Sequence, residues 1–205
     1  RVMLIILVVH RLLHTQVASV QTLMPFAKVV VIDSDSSDAT FLRGLPDDVD
    51  VCYAKNTGYE YGAYKYALRY YTEYDYYVCL QDSLLLRKAP CCQKSYTYHY
   101  KVRCGYPKYL ELYDSMLRLL EGTCFRDYFI SLLASRSAIL NMSVHNSWIL
   151  SGQTLTKLYE DLSFECKSKI DAQCTERIVG AWLGFHRQNT ANLHGIVSKV
   201  HGGRL

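Results

Sequence analysis

The sequence predicts an α/β fold, a mixed and mostly parallel sheet flanked by helices, and three observations support that prediction. Continuous apolar runs rich in β-branched or aromatic residues recur at 2–9, 29–32 and 76–80. Runs of this kind suit strands that are buried on both faces, as in parallel sheets. Segments of helical character separate them, and the second and third runs lead straight into acids, Asp33-Ser34-Asp35-Ser36-Ser37-Asp38 and Gln81-Asp82-Ser83. Sheets of this class bind ligands at the carboxyl ends of their strands, so two strands that deliver carboxylates there suggest one site.

In chain order, the first strand takes 2–9. Its apolar run is too short to span a bilayer, and no small-residue cleavage site follows, so a buried strand is expected and not a targeting segment. A helix is expected over 11–24, ended near Pro25, and then the second strand at 29–32. A short polar helix start near Ser37-Asp38, the turn Gly44-Leu45-Pro46-Asp47 and a third strand at 49–53 follow. A helix over 60–72 and the fourth strand at 76–80 complete a Rossmann-like half by residue 85.

The second half is less regular. Residues 91–108, with Cys91-Cys92, Gly105 and Pro107, read as a long excursion, and 109–121 as helix. The apolar run 128–134 reads as a strand and 135–140 as a helix start, with further helices over 154–166 and 175–184. The tail around His194, Gly195, His201, Gly202 and Gly203 has no periodicity. Nothing in the chain reads as a repeat or a linker, so a single domain is expected.

Half of the 205 residues are apolar and one fifth are charged, the composition of an ordinary globule and not of a disordered chain. The formal charge of +4 is modest, and Lys and Arg are spread along the chain. That balance suits a small anionic ligand or a sugar nucleotide, and no nucleic-acid partner or membrane span is expected. The eight cysteines include no CxxC pair of the kind that zinc or redox centres use. A core of this size needs no disulfide framework, so free thiols in a reducing, cytoplasmic setting are expected. There the glycosylation pattern Asn141-Met142-Ser143 carries no weight.

Between the third strand and the next helix stands Asn56-Thr57-Gly58-Tyr59-Glu60-Tyr61-Gly62-Ala63. Gly58 can adopt backbone angles closed to other residues, while Gly62 and Ala63 leave room for a phosphate or for close helix–sheet packing. Lys65 and Arg69 lie four apart, where they could offset diphosphate charge or face solvent. The acidic run 33–38 lacks the twelve-residue spacing of an EF-hand and can equally cap a turn. Its place at a strand end favours Asp33 as a hydrogen-bond acceptor for a base or ribose.

Taken in order and spacing, Val29-Val30-Val31-Ile32-Asp33-Ser34-Asp35-Ser36-Ser37-Asp38, Asn56-Thr57-Gly58 with Gly62-Ala63, and Leu80-Gln81-Asp82-Ser83 resemble the nucleotide-sugar half of the GT-A glycosyltransferases. More narrowly, the chain is similar to the glycosyltransferase domains with which chlorella viruses build their capsid glycan. The resemblance covers nearly the whole chain. It implies a GT-A fold with residues 1–90 as the nucleotide-sugar half and 91–205 as the acceptor and catalytic-base half. It also implies a UDP-sugar donor, a Mn2+ or Mg2+ ion bridging its phosphates, and transfer of L-rhamnose or glucose to a growing glycan in the cytoplasm of a host cell, with further domains beyond the C-terminus.

By this match His10, Arg11 and Asp33 surround the uridine, Asn56 and Lys65 lie near ribose and phosphate, Gly58 and Gln81 are further donor-binding residues, and Asp82 holds the metal. The family's metal motif is usually two acids separated by one residue, and Leu80-Gln81-Asp82 keeps only the last. His194 or His201 from the tail could supply a second ligand. A metal has its own physical rationale, because a departing nucleoside diphosphate concentrates negative charge that a fixed cation stabilises.

Inverting transfer needs an acid to take the proton of the acceptor hydroxyl. Thr175-Glu176-Arg177 opens an apolar segment, which resembles the acid-Arg pair at the start of the corresponding helix in related transferases. Glu176 is the candidate base and Asp171 the alternative. Among the aromatics, Tyr59 and Tyr61 are best placed to stack on a base or sugar, while Trp148 and Trp182 could line the acceptor side or the core. A nucleotidyltransferase, or a sugar-nucleotide-binding module without turnover, would use the same sheet. The first of these should carry a glycine-rich loop after the first strand, where Val8-Val9-His10-Arg11-Leu12-Leu13 has no glycine.

Overall fold

A computed structural model describes residues 2–10, 20–55, 58–91, 93–105 and 107–200. Its strands are β1 (Met3–Val9), β2 (Lys28–Ser34), β3 (Asp50–Ala54), β4 (Tyr76–Gln81), β5 (Leu84–Leu86), β6 (Ser95–Arg103), β7 (Ile139–Ser151), β8 (Thr190–Asn192) and β9 (Val197–Lys199). The helices are α1 (Tyr59–Leu68), α2 (Pro107–Glu111), α3 (Tyr113–Leu119), α4 (Arg126–Ala134), α5 (Gly152–Asp161) and α6 (Lys169–Phe185). Short 3-10 turns lie at Thr40–Gly44 and Leu193–Gly195.

The central sheet has seven strands in the order β3-β2-β1-β4-β7-β6-β8, and β5 pairs with β9 in a small second sheet. β1, β2, β3 and β4 run parallel, β7 runs antiparallel to both β4 and β6, and β8 is parallel to β6. This is a mixed, mostly parallel α/β domain consistent with a Rossmann-like fold. Every residue of β1 is buried, and its side chains alternate between two cores. Leu4, Ile6 and Val8 face the cluster built by α1 and α3 to α6. Met3, Ile5, Leu7 and Val9 face a second cluster with Val20, Leu23, Leu42, Leu84, Leu86 and Val197. A strand that is apolar at every position therefore feeds two cores at once.

The first-half strands lie where the sequence puts them. The expected helix over 11–24 falls mostly outside the described residues, although 20–23 are helical. The short helix expected near Ser37-Asp38 forms slightly later, at Thr40–Gly44.

The second half departs from expectation in three places. The supposed excursion 91–108 contains the nine-residue strand β6. Residues 128–134 are helical within α4, where Phe129 and Leu133, four apart, are the buried pair. Residues 139–151 are a strand of 13 residues and not the continuation of a helix starting at 135. Short apolar runs do not distinguish helix from strand by themselves, and here packing against the sheet decides.

α6 crosses β7 at close range, and Gly180 makes that crossing possible. A Cβ at this position would lie 1.8 Å from the Asn141 carbonyl oxygen. Trp148 and Trp182 are fully buried, as is Tyr61, whose hydroxyl donates to the Leu162 carbonyl at 2.6 Å. All three belong to the core, leaving Tyr59 as the aromatic at the site. The seven cysteines among the described residues are free thiols. Burial raises the Cys166 thiol to about 11 and the Cys174 thiol to about 12, so both stay protonated near neutral pH. No helix among the described residues is long and apolar enough to cross a membrane.

Candidate functional site

Sheet register brings three strand ends level. Val9 pairs with Asp33 across β1 and β2, and Val8 pairs with Gln81 across β1 and β4. Beyond that line opens a cleft of about 700 Å3, lined by His10, Asp35, Tyr59, Asp82, Asn146, Glu176 and their neighbours. It sits at the carboxyl ends of the parallel strands, where sheets of this class bind their ligands.

Of the residues expected at the site, His10, Gly58, Gln81, Asp82 and Glu176 line the cleft together. Asp82 follows β4 directly and is 5 % exposed, a carboxylate delivered by the strand and kept from bulk water. His10 follows β1, and its Nδ1 lies 3.0 Å from the Ser34 carbonyl oxygen, which ties the ends of β1 and β2 together. Gly58 adopts a φ of +69° before α1, and a Cβ there would meet the Cys166 carbonyl at 3.0 Å. Its bareness therefore serves both the turn and the passage of a distant loop across the start of α1.

Asp33 is buried one step behind the wall. Its carboxylate accepts from the Ser36 hydroxyl at 2.5 Å and the Ser36 backbone N–H at 3.4 Å. The Ser36 hydroxyl also meets the His10 carbonyl, so Asp33 shapes the loop that presents Ser34 and Asp35. Lys65 is half-buried on α1 and does not line the cleft. His194 lies away from the cleft, with its ring packed on Tyr98 at 4.0 Å between centroids. Arg11, Asn56 and His201 fall outside the described residues.

The two candidate bases occupy different environments. Glu176 lies on α6 two turns from its start, and its Oε1 accepts the His145 backbone N–H at 2.8 Å. Asp171 is 1 % exposed and ion-paired to Arg118, and its Oδ2 accepts the Lys167 N–H at 2.8 Å. Burial alone would raise this carboxyl, but the Lys167 N–H and the Arg118 guanidinium outweigh it and hold the group below the usual carboxylate range. Its own N–H donates to Ser168, the residue that caps α6, so Asp171 ties the first turn of the helix together. It does not line the cleft.

The strand opposite supplies a residue that no sequence pattern announced. β6 pairs Thr97 with Trp148 and His99 with Ser143, so the single residue Tyr98 opposes 144–147 of β7. This wide bulge throws His145 and Asn146 into positive φ, at 61° and 44°. His145 thereby aims its N–H at Glu176, and Asn146 enters the cleft wall. Asn146 is 3 % exposed, its Nδ2 donates to the Ala172 carbonyl at 3.0 Å, and its Oδ1 has no partner among the described residues. A carbonyl can only accept, which fixes the amide orientation and turns the oxygen away from Ala172.

Backbone strain concentrates here. Of the five non-glycine residues with positive φ among the described residues, Asp35, Tyr59 and Asn146 line the cleft and His145 holds Glu176. Only Arg187, just past the end of α6, stands apart. Left-handed conformations cost about 1–2 kcal/mol for an ordinary residue and cluster at functional sites.

The donor set bears on a metal. No group of three or more His, Cys, Asp or Glu residues among the described residues could hold an ion by itself. Asp82 offers hard oxygen ligands, which suit Mg2+ or Mn2+ shared with substrate phosphates and water, not an ion caged by protein alone. In comparisons with known proteins, the chain matches no family model and no curated protein.

Proposed function

We propose that the chain is a GT-A-type glycosyltransferase that moves a sugar from a UDP-sugar to a glycan hydroxyl with inversion. The observation that carries this reading is the pairing, in one strained cleft at the strand ends, of the buried Asp82 carboxylate with Glu176 on a separate wall. In this reading the uridine lies against His10, Ser34 and Asp35 at the ends of β1 and β2, and the diphosphate lies toward Asp82. Asp82 would hold the divalent ion with the diphosphate oxygens, and the ion would supply charge stabilisation to the departing UDP. Glu176, oriented by the His145 N–H, takes the proton of the acceptor hydroxyl as that oxygen forms the new glycosidic bond.

Incubation with a panel of UDP-sugars, manganese and glycan acceptors tests the reading through acceptor-dependent release of UDP. Release of pyrophosphate from UTP and a sugar phosphate would replace it with nucleotidyl transfer. Asp82→Ala should abolish manganese-dependent binding of UDP-sugar while leaving the melting temperature within a few degrees of the parent. Unchanged manganese-dependent affinity in calorimetry would remove Asp82 from the metal site.

A further inference from the structure

Two cations on the cleft wall have no role in the chemistry above. Lys167 and Lys169 flank Ser168, the cap of α6, and both line the cleft. Neither ammonium is paired with a protein group among the described residues, although Asp35, Glu60, Asp82 and Glu176 line the same cleft. The turn that carries them is held in place. The buried Asp171 accepts the Lys167 N–H at 2.8 Å and is itself paired with Arg118.

The same turn passes against the start of α1. The Cys166 carbonyl lies 3.0 Å from where a Gly58 Cβ would be, so the first turns of a ten-residue helix and a 17-residue helix meet at this cleft. Unsatisfied N–H groups and the helix dipoles make such ends favourable for anions. An independent sign of a ligand in the cleft is Asn146, 3 % exposed and with its Oδ1 unpartnered among the described residues, an acceptor that calls for a donor such as a ribose hydroxyl or a base N–H of the same ligand.

We propose that Lys167 and Lys169 seat the diphosphate of the ligand, a protein-borne share of the charge that an ion held by one carboxylate would otherwise supply alone. This assignment rests on the sugar-nucleotide reading of the cleft and adds residues to it. The four carboxylates of the wall outnumber the two ammoniums, so in the absence of an ion at Asp82 the lysine turn is the part of the wall that favours a diphosphate.

The test is calorimetry of uridine, UMP, UDP and inorganic pyrophosphate, each in chelator and in manganese, on the parent chain, Lys167→Ala/Lys169→Ala and Lys167→Arg/Lys169→Arg. Charge-assisted hydrogen bonds of this kind set the expected loss at about tenfold or more in UDP affinity for the alanine pair in chelator. Uridine affinity should stay unchanged, and the arginine pair should recover most of the loss. Pyrophosphate binding should fall in parallel with UDP, and added manganese should narrow the gap. Equal UDP affinity of parent and alanine pair in chelator overturns the lysine seat and leaves the function standing. A parent chain that binds pyrophosphate but neither uridine nor UDP overturns the sugar-nucleotide reading, and loss of that pyrophosphate binding in the alanine pair still supports the seat.

Discussion

Gly180→Ala adds one methyl group where α6 crosses the backbone of β7, and its cost can be worked from three distances. The new Cβ would lie 1.8 Å from the Asn141 oxygen, 2.8 Å from the Asn141 carbonyl carbon and 2.9 Å from the Met142 Cα. All three are backbone atoms of β7, so no side chain can rotate away. A carbon and an oxygen meet at roughly 3.2 Å or more, and α6 must therefore retreat by more than about 1 Å in a close-packed interior. Ile178, Val179, Ala181 and Trp182 are all buried on this helix, and its retreat would loosen each of them. Overpacking costs about 1–3 kcal/mol and occasionally more, and the helix-propensity gain of about 1 kcal/mol offsets part of it. A clash this severe, against backbone that cannot rotate away, puts the gross cost above that range, at about 4 kcal/mol, and the net loss at about 3 kcal/mol. For a chain of this size that is a fall of about 6–12 °C in melting temperature. Gly184, on the same helix with nothing within 4 Å of its added Cβ, is the control. Gly184→Ala should stabilise by about 0.5–1 kcal/mol. Thermal melting and urea titration of both variants decide the matter. A Gly180→Ala protein as stable as the parent would refute the packing of α6 on β7, and with it the position assigned to Glu176 one turn upstream.

Two further outcomes follow from the site. Glu176→Gln should cut transfer by about 100-fold or more with UDP-sugar and metal still bound, since only the transition-state proton transfer is lost; near-normal turnover would dismiss Glu176 as the base. The folded-state pKa of Asp171 is depressed, so its contribution to stability is present above its unfolded value of about 4 and is lost as pH falls through the lower folded value. Asp171→Asn should therefore be less stable than the parent at neutral pH and should converge with it in acid; a stability gap independent of pH would contradict this.

The sequence by itself determined the sheet's first half. β1, β2 and β4 are legible because strands buried on both faces are apolar at nearly every position, and their short length and β-branched or aromatic content favour strand over a buried helix segment. The acids that end β2 and β4 were legible for the same reason, since a carboxylate directly after such a strand has to emerge at its carboxyl edge. Glu176 stood out by opening an apolar segment, though α6 actually begins seven residues earlier, at Lys169.

Tertiary structure decided the rest. β6 alternates polar and apolar side chains from Ser95 to Arg103, the period of a half-buried strand, so its identity was legible and only its place in the sheet, antiparallel to β7, was decided by tertiary structure. Asp171 and Glu176 were both plausible bases as text, and they separate only because Arg118, from a helix 53 residues away in sequence, takes up the first of them. Asn146 is an ordinary polar residue until a bulge with one residue facing four turns it into the wall. Lys167 and Lys169 acquire meaning only where their turn meets Gly58. Strand identity depends on neighbours along the chain, but this cleft depends on residues that come together through long-range pairing, which no local pattern encodes.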